Sequence, residues 1–219
     1  MDAPQTLMLS NQVTVMSKTD EARPGRLKLV LLGNQHVGKT SLLQRYVNNV
    51  YNPAYTHTRG GDIFKKEMMV DGRRIKLKFM DTAGQPDIKS LIRSLYRDAN
   101  GIMVVFDVTN EHSFEMVEGW IDRVTKDIEP KPQLMMVGNK HDLTAHRTIE
   151  MDQANARAGS FCAPYYDVSA KTGGNVKEAF ETFIRKTWRN LQPNSNREMS
   201  SSIRLEETSE DGGRICCGS

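Results

Sequence analysis

The chain is poor in cysteine and aromatics, has almost no excess of either charge, and contains no long apolar run. Three cysteines among 219 residues are an odd count and too few for a disulfide scaffold. A reducing compartment is the simplest setting for them. Nowhere do about 18 apolar residues follow one another, so no stretch is expected to span a bilayer. The first dozen residues have no basic region ahead of an apolar core, so no secretory signal is expected. Asp2 stands where N-myristoylation needs glycine. Thirty Lys and Arg against 27 Asp and Glu leave a net charge of +3. No Lys/Arg stripe stands out, and nucleic acid is not an expected partner.

What remains is an ordinary globular composition, 38% hydrophobic and 26% charged, enough to bury a core. Residues 1–25 are polar, close with Arg23-Pro24-Gly25, and read as a flexible N-terminal tail. Residues 26–190 alternate apolar runs with amphipathic stretches. The runs at 27–32, 75–80, 101–108 and 133–138 have strand character, and those near 38–49, 113–127, 150–159 and 174–190 have helical character. Asp71-Gly72 between two candidate strands signals one hairpin. The pattern predicts an α/β domain with a mostly parallel sheet, one antiparallel strand and helices on both faces. Residues 191–219 are rich in Ser, Glu and Gly and read as a disordered tail. Cys162, Trp120, Trp188 and the methionine pairs 68–69 and 135–136 are all expected to serve as core packing.

Gly33-Asn34-Gln35-His36-Val37-Gly38-Lys39-Thr40 fits G-x-x-x-x-G-K-[ST] and directly follows a strand. Two glycines let the backbone turn so that several N–H groups converge on one phosphate. The following helix adds its positive end, Lys39 supplies a charge to the β- and γ-phosphates, and the Thr40 hydroxyl can ligate Mg²⁺. His36 is expected to be a solvated loop imidazole rather than a base, and Gln35 to lie near the γ-phosphate. Asn139-Lys140-His141-Asp142 suits guanine, because the Asp142 carboxylate can accept from N1–H and the N2 amine, donors that adenine does not offer in that arrangement. Asn139 can tie this loop to the phosphate loop, and the Lys140 stem can cover the base. In Ser169-Ala170-Lys171 the Ala170 N–H can donate to guanine O6 and Lys171 can cover the ring. Asp81 is placed to hold Mg²⁺ through water, Gly84 to reach a γ-phosphate oxygen, and Gln85 to orient the attacking water as the candidate catalytic residue. Thr58 can ligate Mg²⁺ only while the γ-phosphate is present, which makes an on–off switch. Tyr51 can lie edge-on to the base.

Across residues 26–190 these motifs, in this order, resemble the small GTPases of the Ras superfamily, within its Rab branch. QHVGKTSL, SLIRSLYRDA and GNKHDL are nearest in wording to Golgi-associated Rabs. The resemblance implies a six-stranded P-loop G domain with about five helices, Mg²⁺ as cofactor, and GTP/GDP cycling. It also implies an exchange factor, an activating protein, effectors and a prenyl-binding dissociation inhibitor. The expected location is the cytoplasm, cycling to the cytosolic face of Golgi or endosomal membranes. Departures are visible. Arg59-Gly60-Gly61-Asp62-Ile63 replaces the usual I-G-V-D-F, and Pro86 follows Gln85 where Rabs have Glu. Ile63, Met80 and Leu95 stand for three aromatics of the effector surface. Cys216 and Cys217 near the chain end fit double prenylation. Residues 191–215 carry three arginines against five acids, net −2, so no basic patch assists a single lipid. A C-a-a-X reading with Cys216 modified stays formally open. Three readings compete: a regulatory GTPase; an interaction module with little hydrolysis, which Gln35, Arg59 and Pro86 favour; and a phosphotransferase, which would need an arginine-bearing lid and no N-K-x-D.

Overall fold

The computed structural model describes residues 25–54, 61–82 and 96–192. Six strands form one sheet in the order β2-β3-β1-β4-β5-β6: β1 Gly25–Leu32, β2 Ile63–Val70, β3 Arg73–Met80, β4 Gly101–Asp107, β5 Gln133–Asn139 and β6 Tyr165–Asp167. Only β2 runs antiparallel to its neighbour; the other ladders are parallel. Four helices lie among the described residues: α1 Lys39–Asn48, α2 Glu111–Asp127, α3 Met151–Ser160 and α4 Val176–Leu191. The fold expectation therefore holds, with β1 starting at Gly25 and α4 running to Leu191.

The patterning explains the layers. Every residue of β4 is buried, as a continuous apolar run should be when helices cover both faces. Along β1, Leu27, Leu29 and Leu31 point into one core with Phe79, Phe180 and Phe183, beneath α1 and α4. Val30 and Leu32 point into a second core with Val104, Phe106 and Trp120 on α2. Asp71 and Gly72 take φ values of 47° and 77°, the left-handed pair that a two-residue hairpin of the sheet's own twist requires. Arg189, near the end of α4, forks onto Asp71 with contacts of 2.9 and 3.1 Å and pins the hairpin to the helix.

Some packing expectations fail. Trp120 and Trp188 are core residues, and so are Met135 and Met136, but Met69 is 60% exposed. It lies on β2 at the sheet edge, where alternate side chains face solvent. Cys162, expected in the core, is exposed. α3 ends at Ser160, and Cys162 sits in the turn that follows, with φ 51°.

The order of strands fixes the site. The chain leaves β1 for β2 and β3 on one side and for β4 on the other. The crevice at the carboxyl end of β1 is thus the switch point where doubly wound sheets bind ligands.

Candidate nucleotide site

β1 delivers the chain to the loop 33–38, and two glycines are required by its shape. Gly33 has φ 138°, and a Cβ there would come 2.0 Å from the Val105 carbonyl oxygen. Gly38 has φ 93°, and a Cβ there would come 2.3 Å from Asn139 Nδ2. α1 starts on Gly38 with no side-chain cap and no acid in its first turn, so its positive end is not neutralised from within the helix. His36 and Gln35 are exposed, with His36 in the left-handed region at φ 61°.

Lys39 is buried, and its Nζ donates to the carbonyls of Gly33 and Asn34, both at 2.8 Å. The side chain thus folds back across its own loop. Burial pushes the ammonium down to about 8, with Asp81 opposing the shift. The Thr40 hydroxyl donates to Asp81 Oδ2. Asp81 is fully buried at the end of β3, and its own N–H donates to Asp62 O at 2.9 Å. Thr82 Oγ1 donates to Leu31 O at 2.7 Å and fastens β3 to β1 beneath the site. A hydroxyl and a carboxylate brought together at the loop's end are hard oxygen donors of the kind Mg²⁺ takes.

Asn139, 2% exposed at the end of β5, joins three loops. Its Nδ2 donates to Val37 O at 2.8 Å, and its Oδ1 accepts from the Ala170 N–H at 3.1 Å. The phosphate loop and the base loops are therefore held by one amide, as the sequence suggests. The Ala170 N–H, expected to serve guanine O6, is thus engaged with Asn139. Asp142 accepts from Ser169 Oγ at 2.6 Å, and Ser169 Oγ in turn accepts from the Thr172 N–H at 3.0 Å. Lys171 Nζ lies 4.0 Å from Asp142 Oδ2. Lys140 takes φ 67°, and its Nζ lies 2.5 Å from Asp107 Oδ2. Tyr51 is half-buried and packs against the α1/α4 core.

Three supporting residues escape a reading of the sequence. Arg45 on α1 donates from Nε to Ala170 O at 2.9 Å and from a terminal nitrogen to Lys171 O at 2.8 Å, fixing the last loop. Asp107 orients Lys140. Trp120 donates its indole N–H to Asn34 Oδ1 at 2.9 Å and so clamps the phosphate loop from α2. Their partners lie 33 to 126 residues away in sequence, and no local pattern announces them.

Of the proposed effector residues, Ile63 and Met80 face each other across the β2–β3 ladder. Ile63 is 50% exposed, whereas Met80 is 6% exposed and belongs to the α2 core. Thr58, Gly84, Gln85, Leu95, Cys216 and Cys217 lie outside the described residues.

A glycine loop between a central strand and a helix, a lysine folded across it and an Asn-centred lattice linking it to N-K-x-D define a P-loop guanine-nucleotide fold. A family model described as "Ras family" matches residues 28–189. The rat Ras-related protein Rab-13 is 34% identical over 184 residues, covering 82% of this chain and 91% of that protein. The chicken Ras-related protein Rab-8A is 35% identical over 182 residues, covering 81% and 88%. The chain belongs to the Ras family of small GTPases, in its Rab branch. Among the described residues no helix is long and apolar enough to cross a membrane.

Proposed function

We propose that this chain is a guanine-nucleotide switch that binds GTP and GDP with Mg²⁺, hydrolyses GTP, and works in membrane trafficking on the cytosolic face of endomembranes. The observation that carries the reading is Asn139, because it ties the phosphate loop to the Ser169-Ala170 loop, whose Ser169 hydroxyl donates to the Asp142 carboxylate. Asp142, oriented by Ser169, is an acceptor that rewards guanine and penalises adenine. Lys39 and the start of α1 meet the phosphates. Thr40, Asp81 and Thr58 would hold Mg²⁺, which would supply positive charge against the charge developing on the phosphates. Gln85 orients the attacking water, and Gly84 donates to the γ-phosphate. An exchange factor, an activating protein, effectors and a dissociation inhibitor act on this cycle. Prenyl groups on Cys216 and Cys217 anchor it.

The test is exchange against base analogues. Asp142→Asn should weaken GTP and GDP alike and improve xanthine nucleotides, whose C2 carbonyl suits an amide donor. Equal affinity of the unaltered chain for ATP and GTP would sink the assignment. A second reading, an interaction module with little hydrolysis, is favoured by Gln35 beside the γ-phosphate position and Pro86 after Gln85. Single-turnover hydrolysis separates the two. The switch requires stimulation by an activating protein that Gln85→Leu abolishes.

A further inference from the structure

The sheet assembles a charge pattern that the linear sequence hides. On the solvent face of β1, β3 and β2, Lys28, Lys78 and Lys65 stand in one cross-strand row. The next row holds Arg26, Lys76 and Glu67. An open groove of about 720 Å³ runs along these residues. Five cations meet one acid, and that acid is only partly used, with Lys76 Nζ 3.6 Å from Glu67 at exposed positions. Like charges directly opposite one another in a sheet repel. Lys28 carries the mark of this: burial lowers its ammonium, Asp98 opposes, and Lys78 lowers it further. Its Nζ donates to the Arg97 carbonyl.

A complementary segment exists in the same chain. Glu206-Glu207-Thr208-Ser209-Glu210-Asp211 places four acids in six residues, against a net +4 on the face. The last helix packs on the opposite face of the sheet, but the chain leaves it at the end of the strands that carries the two rows, one turn of the sheet border away. Trp188 lies against Gly25, the residue before Arg26, and Arg189 grips Asp71 at the tip of the β2–β3 hairpin. The fourteen residues 192–205 then give a root-mean-square reach of roughly 20 Å at 5–6 Å × √n. The two rows lie about 7 Å apart along the strands and span about 10 Å across them. The reach covers the groove, and tethering at that length gives an effective concentration of order millimolar, enough to populate individually weak ion pairs.

We propose that residues 206–211 dock on this basic face of β1, β3 and β2 as an intramolecular acidic strap. The strap neutralises the lysine rows and covers the β2–β3 surface beside Ile63. An acidic partner that uses this surface must then compete with the chain's own tail. The inference rests on the sheet and the tail, not on the nucleotide reading.

The test uses the full unlipidated chain with Cys162, Cys216 and Cys217 changed to Ser and Thr208→Cys carrying a nitroxide. Amide signals of Lys65, Lys76 and Lys78 should lose half their intensity or more, roughly, at low salt, while those of Ala154 on α3 stay unchanged. The loss should vanish at about 0.5 M salt, where screening shortens to a few ångströms. It should also vanish when Glu206, Glu207, Glu210 and Asp211 become Gln or Asn. Lys65→Glu with Lys78→Glu should abolish it too, with an otherwise unchanged amide spectrum showing an intact fold. No broadening on this face, or broadening that survives neutralisation of the tail, overturns the proposal. Broadening only between mixed labelled and spin-labelled chains assigns the face to a second copy. Equal binding of phosphatidylserine vesicles with native and neutralised tails assigns it to a membrane. Either result also overturns the strap.

Discussion

Replacing Trp120 with Phe isolates the clamp between α2 and the phosphate loop. The indole is 2% exposed and donates at 2.9 Å to the side-chain oxygen of Asn34, a residue whose backbone carbonyl accepts from Lys39. Trp120→Phe removes the donor and some packing volume; Asn34→Ala removes the acceptor and leaves the indole N–H buried. A hydrogen bond of this type contributes a net ~1 kcal/mol, and a buried group left without its partner costs about 1–3 kcal/mol. Each single variant should therefore lose about 1–3 kcal/mol in urea unfolding, the tryptophan variant more because of its smaller volume. The double variant should fall short of the sum by about 0.5–1.5 kcal/mol, the coupling of the pair. Each variant's own volume change cancels in the cycle. Because the clamp holds the Asn34 backbone whose carbonyl receives Lys39, a loop released from it should hold phosphate less well. A loss of ~0.5–1 kcal/mol there is a two- to five-fold faster release of GDP, measured with a fluorescent analogue. Additivity of the two changes within about 0.3 kcal/mol would refute the clamp and leave Trp120 as packing alone.

Asn139→Ala leaves Val37 O and the Ala170 N–H buried without the amide, and should cost about 2–4 kcal/mol of stability, read by urea unfolding of the nucleotide-loaded chain. Thr40→Asn should weaken Mg²⁺-dependent GTP binding more than GDP binding; a wild-type release rate indifferent to magnesium chelation would contradict the metal assignment. The hydrogen bond from Arg189 holds the Asp71 carboxyl below the usual carboxylate range, with the charges of Arg189 and Arg185 assisting and burial opposing. A depressed carboxylate adds stability above its unfolded pKa of about 3.9, and that stability is lost as pH falls through the folded value. Arg189→Gln should return the Asp71 titration upward by NMR and remove only a few tenths, roughly, of a kcal/mol, because the pair is exposed. Cys216→Ser with Cys217→Ser should shift the protein wholly to the soluble fraction of cells, and either single change should leave weaker attachment.

What the sequence yields and what it withholds divides along contact distance. The β4 run, the Asp71-Gly72 turn and the glycine spacing of the loop are local constraints, and each is realised. Asn139 was legible because its role is tied to the order of its motif. Arg45, Asp107 and Trp120 act through partners far along the chain, so they read as an ordinary helix cation, a strand-end acid and a core aromatic. Cys162 and Met69 were misplaced for a local reason: apolar neighbours suggest a core, but a turn after α3 and an edge position on β2 turn both outward. No basic stripe stands out in the text because Lys28, Lys65 and Lys78 belong to three different strands.

The position of β2 at the border of the sheet has a further consequence. All eight of its residues pair with β3, and among the described residues no strand pairs with its other side. A strand with an open ladder and two large apolar side chains facing out, Ile63 and Met69, is a template for adding another chain. Lys65 and Glu67, set between those two, act as gatekeepers: any incoming strand must bring their side chains alongside its own and strip water from them. Exchanging both for valine would leave the domain's interior untouched and would turn a soluble border into a site of self-association.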